Sequence, residues 1–479
     1  MSENSSRPYP IKQISPTLWD KAFLYKEIKM LRTVHTKNGT IEGLSAADPR
    51  ITSFKGIPFA KPPVGNLRFH APVKAEPWDG VLKAYKFSPV PVQVKPYHDP
   101  EFLYCREWSV DKDIPMSEDC LYLNVWTPAK SEDEKLPVYV WIYGGAFQTG
   151  YTAEMEFDGE RIARRGIVVV TVNYRLNMFG FMCHPEITKE NPSAPANFGL
   201  LDQRMALEWV HENIEAFGGD SSNVTIGGQS AGGASVMNQI IHGTDGLFSR
   251  AVVHSGMFMM EKDNISDPID FSVAEKNGQD FFAFAGVKNL EEIRKMTLEE
   301  LWQKWEQYGG FEKSFKTWIP VNDGCFLNAS LNDALKANKI KNIPLLLGYT
   351  PDEFKYMPQG CTREKDMVNA IERAVKTYQE LVMINRTDVK NYAYCFNVEI
   401  PGFDKPGIFH SSDLWFWFET LAKCWRPFVG KHYDTARKMC NYLCNFIKNG
   451  NPNGTDCDGT AMSEWKPYNG TEETLMVLK

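Results

Sequence analysis

The stretch GGQSAGG, residues 227–233, decides the fold of this 479-residue chain. It contains the pattern G-x-S-x-G, in which Gly228 and Gly232 flank Ser230 at positions where a Cβ atom would crowd a tight turn. A β-branched run at 224–226 precedes it, and residues 234–240 can form a helix after it. The bare pattern arises by chance in about one chain of this length in eight, so the flanking elements carry the interpretation. They predict a sharp strand-to-helix turn that exposes the Ser230 hydroxyl as a nucleophile.

The composition is that of an ordinary globular chain, with 43% hydrophobic and 13% aromatic residues. The net charge is −7, and no basic stripe is present to neutralise phosphates, so we expect no nucleic-acid partner. Residues 1–13 lack the apolar core of a signal or anchor, and no later segment reaches 18 uninterrupted apolar residues. We therefore expect no membrane span and a cytoplasmic location.

Ten cysteines are scattered along the chain without a C-x-x-C pair. In a large cytosolic chain such cysteines are expected to be reduced thiols. Cys440 and Cys444 share one helix face, but no neighbouring His or Cys completes a zinc set. Neither a metal nor a cofactor is expected, and the sequence does not indicate an oligomeric state.

Apolar runs typical of strands alternate along the chain with segments of helical periodicity. Buried strands are predicted at 138–142, 167–172, 251–253 and 343–347, and helices at 198–217 and 432–448. This order predicts a single α/β domain over residues 1–479, with a mostly parallel central sheet and helices on both faces. Residues from about 260 to 340 and from about 355 to 405 are predicted to be helical insertions that wall a pocket above the sheet.

A serine nucleophile needs a histidine base, and the chain offers nine histidines. In the α/β-hydrolase fold the order along the chain is nucleophile, acid, histidine, with the histidine on a late loop. This leaves His410 and His432. His432 opens a predicted helix beside Lys431 and Tyr433 and is expected to be solvated. His410 follows a loop and precedes a possible helix start, so it is the favoured base.

The acid should follow a sheet strand between the serine and the histidine. Asp352 and Glu353 both come directly after the strand at 343–347, and spacing alone leaves both open. Backbone N–H groups for an oxyanion hole are expected from Ala231, the residue after the nucleophile, and from the loop YGGAF at 143–147.

With these residues in place, the chain resembles the type B carboxylesterases, the esterase/lipase family that includes the cholinesterases. The resemblance runs nearly from end to end. The blocks that carry it are GIPFAKPPVGNLRF (56–69), SEDCLYLNVWTP (117–128), VWIYGGAFQTG (140–150), VTVNYRLNMFGF (170–181), NFGLLDQRMALEWVHENIEAFGGD (197–220), VTIGGQSAGG (224–233) and GIFHSSDLWFWF (407–418).

The resemblance implies an α/β-hydrolase fold and assigns the site. It implies that Ser230 is the nucleophile, His410 the base and Glu353 the acid, since the family places its carboxylate second in a D-E pair. It further implies that the N–H groups of Gly145, Ala146 and Ala231 form the oxyanion hole. Arg175 and Asp202 match positions that form a structural ion pair in the family.

Three departures from the family pattern stand out. Pro91 occupies the position of a cysteine that pairs, in the family, with the one matching Cys120, so that disulfide is missing or is replaced by a bond to Cys105. Gln229 stands where cholinesterases carry a glutamate, which favours an uncharged small-molecule ester as substrate. The stretch from Glu353 to His410 is shorter than is usual, so the helices that line the family's gorge are expected to be reduced.

These observations predict a serine hydrolase that cleaves carboxylic esters through an acyl-enzyme. A lactonase, an amidase or an acyltransferase could use the same triad. A non-catalytic binding protein of the cholinesterase type is disfavoured, because such members lose the serine or the histidine and this chain keeps both. Trp415 and Trp417, close to His410, could wall the pocket or pack in the core.

Overall fold

The computed structural model describes residues 30–95, 99, 101–108, 111–241, 246–256, 268–330, 333–334, 337, 342–353, 389–456 and 459–479. Its strands, in chain order, are β1 Thr33–Thr36, β2 Gly39–Glu42, β3 Leu44–Ser45, β4 Thr52–Pro58, β5 Val81–Lys83, β6 Tyr122–Thr127, β7 Leu136–Ile142, β8 Val168–Val172, β9 Gly219–Gln229, β10 Arg250–His254, β11 Ile269–Asp270, β12 Val321–Asn322, β13 Leu345–Tyr349, β14 Tyr392–Phe396 and β15 Met476–Leu478.

Ten of these strands form one twisted sheet in the order β15-β14-β13-β10-β9-β7-β8-β6-β4-β3. Every pairing from β15 to β8 is parallel, whereas β6, β4 and β3 pair antiparallel at the other edge. All five residues of β8 are buried, as an apolar run covered on both faces requires. The predicted mostly parallel sheet is therefore confirmed, and so are its four predicted strands.

Helices cover both faces of this sheet. The α-helices of the described residues are Leu103–Glu107, Glu160–Ala163, Asn177–Phe181, Pro185–Glu190, Phe198–Asn213, Ala231–Ile241, Phe271–Ala285, Leu290–Lys295, Leu298–Gln307, Gly310–Thr317, Leu414–Trp417 and Gly430–Asn449. The 3-10 turns are Gly65–Leu67, Glu132–Glu134, Met155–Phe157, Ile214–Phe217, Leu421–Lys423 and Glu472–Thr474. The late helix ends at Gly450, whose φ of 77° is the left-handed C-cap expected for a glycine there.

The predicted insertions have different outcomes. Within 260–340, four consecutive helices between Phe271 and Thr317 form an insertion after β10. It packs closely on the main body, because a Cβ atom on Gly278 would lie 1.9 Å from the Cys183 carbonyl oxygen. Of the range 355–405, residues 354–388 lie outside the described residues. The end of that range differs from the prediction, because Tyr392–Phe396 is strand β14 of the central sheet, paired in parallel with β13.

None of the helices in the ranges given above is both long and apolar enough to cross a membrane.

Candidate active site

Ser230 occupies a strained turn between β9 and the helix Ala231–Ile241. Its φ is 54°, in the left-handed region that a residue with a Cβ atom rarely adopts. Its backbone N–H donates to the His254 carbonyl at 3.0 Å, and its own carbonyl accepts from the Ala234 N–H at 2.9 Å. The turn is therefore held by the next strand of the sheet on one side and by the new helix on the other.

The glycines of the motif are explained by close backbone contacts. A Cβ atom on Gly228 would lie 2.4 Å from the carbonyl carbon of Gly232, and one on Gly232 would lie 2.1 Å from the Ile142 carbonyl oxygen. Real side chains do not reach such distances, so both positions require glycine if Ser230 is to keep this turn. The crowding inferred from the sequence is confirmed.

His410 and Glu353 meet beside this turn. His410 Nδ1 and Glu353 Oε2 form a short hydrogen bond, and both residues are buried. The other carboxylate oxygen of Glu353 accepts the Thr350 N–H at 2.7 Å. The carboxylate is thus fixed at both oxygens, and it holds the imidazole with its proton on Nδ1.

Asp352 has a different set of contacts. Its Oδ2 accepts the Ile408 N–H at 2.8 Å, and its own N–H donates to the Ile408 carbonyl at 3.1 Å. Asp352 thus fastens the backbone of the histidine loop, while its neighbour Glu353 contacts the imidazole itself. The sequence left this choice open, and the geometry favours Glu353.

Gln229 approaches the second nitrogen of the histidine. Its side-chain Nε2 lies 3.1 Å from His410 Nε2, and the residue is 3% exposed. Because Nδ1 carries the proton that Glu353 accepts, His410 Nε2 has a lone pair and accepts from the Gln229 amide. The imidazole nitrogen that a serine hydroxyl must reach therefore faces the elbow, one residue away from Ser230.

The loop after β7 packs directly against the elbow. A Cβ atom on Gly144 would lie 3.0 Å from Ser230 Cβ and 2.5 Å from the Gln229 carbonyl oxygen. Gly145, Ala146 and Phe147 all have positive φ, at 107°, 57° and 62°. Ala146 thus adopts a conformation that favours glycine, and as a non-proline residue it has a backbone N–H there. The three predicted oxyanion-hole residues all belong to the two segments that meet at Ser230.

Gln148 joins this loop to the helical insertion, a role that the sequence did not reveal. Its Nε2 donates to the Trp318 carbonyl at 2.8 Å, and its Oε1 accepts from Ser314 Oγ. Trp305 Nε1 in turn donates to Ser314 Oγ at 3.3 Å. No sequence signal pairs residues this far apart, so only the fold identifies Gln148 as the link.

Arg175 and Asp202 form the buried ion pair that the resemblance implied. Arg175 Nη2 and Nε lie 2.7 and 2.8 Å from the two Asp202 carboxylate oxygens. Asn177, two residues after Arg175, donates its N–H to the Phe147 carbonyl at 2.7 Å, which joins this segment to the loop after β7. Asp202 is fully buried.

Two further expectations concern aromatic and histidine side chains near the site. Trp415 and Trp417 are fully buried, so they pack in the core.

The expectation that His432 is solvated is wrong. It is 4% exposed, packs against the Phe428 ring, and accepts the Val429 N–H on Nδ1 at 2.9 Å. His432 therefore caps its own helix.

Cys105 and Cys120 are both buried and form no disulfide with each other, so such a bond does not replace the missing family disulfide. Instead Gln93, two residues after Pro91, donates to the Pro91 and Gly150 carbonyls at 3.0 Å and accepts the Gly150 N–H at 2.9 Å. These hydrogen bonds tie down the segment that the disulfide would have held.

This protein belongs to the α/β-hydrolase class. It has the mostly parallel sheet, the serine elbow after β9, and a histidine and a carboxylate on later loops that define the class. Comparison with known proteins identifies its family within this class. The sequence model of a family described as the carboxylesterase family matches residues 31–390 and 366–479. The solved structure of a PNB esterase is similar at 27% sequence identity with a TM-score of 0.77, over 94% of this chain and 96% of that one. The chain belongs to the carboxylesterase family and is a carboxylic ester hydrolase.

Proposed function

We propose that this enzyme hydrolyses esters through an acyl-enzyme on Ser230, with His410 as the general base and Glu353 as its orienting acid. The observation that carries the proposal is the hydrogen-bonded His410, whose Nδ1 contacts Glu353 and whose Nε2 faces the residue next to Ser230. An imidazole held in this way is a base aimed at the elbow. The strained backbone of Ser230 is that of a turn that exposes a serine hydroxyl.

The proposed reaction has two halves. His410 Nε2 takes the Ser230 proton as Oγ attacks the ester carbonyl, and then returns it to the leaving alcohol. In the second half His410 takes a proton from a water that attacks the acyl carbonyl, and returns it to Ser230 Oγ as the bond to serine breaks and the acid leaves. Glu353 stabilises the imidazolium in both halves. The N–H groups of the oxyanion-hole residues Gly145, Ala146 and Ala231 bind the negative oxygen of each tetrahedral intermediate.

Covalent labelling with an uncharged organophosphate tests the proposal. The reagent phosphorylates an activated serine, so we expect about one phosphoryl group per chain, on the peptide that contains Ser230, with activity lost in proportion. Peptide mass analysis provides the measurement, and unlabelled enzyme provides the control. An enzyme that remains fully active after treatment, or a label on another serine, would contradict the assignment.

We further propose that the substrate ester is uncharged. Gln229 lies one residue from the nucleophile and is buried, and its side chain brings no negative charge to the site. A cationic alcohol would have to leave water for a site where this residue offers no compensating charge. The amide instead donates to His410 Nε2, and this contact must open before the imidazole can accept the Ser230 proton.

Exchange of Gln229 for glutamate should change the preference for substrate charge. A buried anion near the alcohol site should raise kcat/KM for a choline ester about tenfold relative to the isosteric 3,3-dimethylbutyl ester, because only the choline ester is cationic. The ratio of the two kcat/KM values for Gln229→Glu and the parent enzyme measures the effect. An unchanged ratio would show that residue 229 does not determine substrate charge.

A further inference from the structure

Tyr394 lies at the centre of a buried polar network behind the elbow. In the register of the sheet, Gln229, His254, Gly348 and Tyr394 form one row across the neighbouring strands β9, β10, β13 and β14. Gly348 has no side chain, so the Tyr394 ring lies across it. A Cβ atom on Gly348 would fall 1.8 Å from Tyr394 Cε1. The glycine thus lets the tyrosine span two strand spacings and reach β10.

Through this row Tyr394 contacts β10, the strand whose backbone is hydrogen-bonded to the Ser230 turn. Its hydroxyl lies 2.7 Å from His254 Nδ1. The His254 carbonyl accepts the Ser230 N–H at 3.0 Å, and the next N–H, that of Ser255, donates to the Gly348 carbonyl at 2.7 Å. A shift of the His254 side chain would therefore move the carbonyl that fixes the nucleophile.

Tyr394 also contacts the two elements that carry the other members of the triad. Its ring covers Gly348 in β13, the strand that leads to Glu353. Its hydroxyl donates to Asp413 Oδ2 at 2.7 Å, in the turn that follows His410. Trp417 Nε1 lies 3.1 Å from the same carboxylate oxygen and 3.2 Å from the hydroxyl. One side chain thus touches the strand before Glu353 and the turn after His410, and it reaches the Ser230 turn through His254.

The protonation states of Asp413 and His254 determine which group donates each hydrogen bond in this network. Burial raises the pKa of Asp413 to about 6, so at neutral pH this carboxyl is an anion that accepts the Tyr394 proton. Burial lowers the pKa of His254 to about 3, so its ring is neutral. Since the Tyr394 proton is used on Asp413, the hydroxyl oxygen accepts from His254 Nδ1–H. His254 Nε2 has no hydrogen-bond partner within the described part of the chain.

We propose that Tyr394 is a positioning residue that holds the elbow, the strand before Glu353 and the histidine turn in the relative placement that the triad needs. This inference rests on the proposed function of Ser230, His410 and Glu353. It assigns Tyr394 no contact with the substrate. Its effect is on the alignment of the reacting groups, where displacements well below the size of an atom lower the rate strongly.

Replacement of Tyr394 by phenylalanine removes the hydroxyl and keeps the ring. We expect kcat to fall about ten- to a hundredfold while KM stays within about twofold, because the substrate contacts remain and the alignment is lost. Tyr392→Phe is the matched control. Tyr392 lies in the same strand, but its hydroxyl donates to Asn451 Oδ1 at 3.2 Å, away from the Tyr394 network. Its kcat should stay near that of the parent enzyme.

His254 provides a second pair of variants. In His254→Asn the amide nitrogen takes the place of Nδ1 and can still donate to the Tyr394 hydroxyl, whereas His254→Leu removes the donor. We expect the leucine variant to lose kcat as Tyr394→Phe does, and the asparagine variant to recover most of that loss. The double variant His254→Leu/Tyr394→Phe should be little worse than either single one, since both break the same chain.

All rates are measured well below each variant's thermal unfolding midpoint. Equal kcat for Tyr394→Phe and Tyr392→Phe overturns the proposal, and so does a loss shared equally by the two His254 variants. If Tyr394→Phe does not fold, the His254 pair makes the same comparison. Ser230→Ala separates the two levels of inference. If it stays active, the proposed function fails; if it is inactive while Tyr394→Phe is normal, only the positioning role fails.

Discussion

Replacement of Ser230 by alanine is expected to lower kcat by about six orders of magnitude and to leave KM nearly unchanged. The hydroxyl is the only group that the proposed reaction attaches to the substrate, and its loss removes both halves of the reaction. The small residual rate should come from the oxyanion-hole N–H groups, which still stabilise attack by water. The measurement is steady-state hydrolysis of a p-nitrophenyl ester, with active-site titration of the variant preparation to exclude contamination by the parent enzyme.

Ser235→Ala is the control for this experiment. Ser235 lies in the helix Ala231–Ile241, which follows the elbow, and its Oγ accepts from Gln203 Nε2 at 3.0 Å. Its loss should cost about 1 kcal/mol of folding free energy through the broken hydrogen bond, with little change in kcat. If Ser230→Ala retained a tenth of the parent activity, Ser230 would not be the nucleophile.

Local rules were enough to predict the elbow. The crowding around Gly228 and Gly232 follows from the turn itself, and the turn follows from a strand that runs directly into a helix. The apolar runs likewise predicted buried strands such as β8, because a strand covered on both faces has no polar alternation. These features depend on residues that are close in sequence, so pattern and outcome agree.

Features that depend on distant pairing were not predictable in this way. The sequence pattern places the residues of β14 in an insertion, because YAYCF becomes a core strand only through its register with β13. The same register brings Tyr394 over Gly348 to His254, and no local signal reports it. His432 was expected in water because its neighbours are polar, yet Nδ1 caps the start of the helix and its ring packs against Phe428.

The choice between Asp352 and Glu353 shows the same limit at the scale of one residue. The two residues are adjacent, yet Asp352 accepts from the Ile408 N–H whereas Glu353 accepts from the imidazole. Which one contacts the imidazole is set by the pairing of this segment with the histidine loop. The resemblance to a family supplied the assignment that the residues alone left open.

Replacement of Glu353 by glutamine is therefore expected to lower kcat by about three to four orders of magnitude at neutral pH, whereas Asp352→Asn should lower it less than about tenfold. The Thr350 N–H, 2.7 Å from Glu353 Oε1, needs an acceptor and will bind the amide oxygen of the glutamine. The amide NH2 then faces His410 Nδ1 and forces the imidazole proton onto Nε2, where it can no longer accept a proton from Ser230. Asparagine at 352 still offers an oxygen to the Ile408 N–H, so the position of the histidine loop is retained.

Steady-state kinetics of both variants measure the difference in kcat, and ¹⁵N NMR of the His410 ring reports the tautomer. A Glu353→Gln enzyme with normal kcat, or one that is impaired while its proton remains on Nδ1, would contradict this role for Glu353.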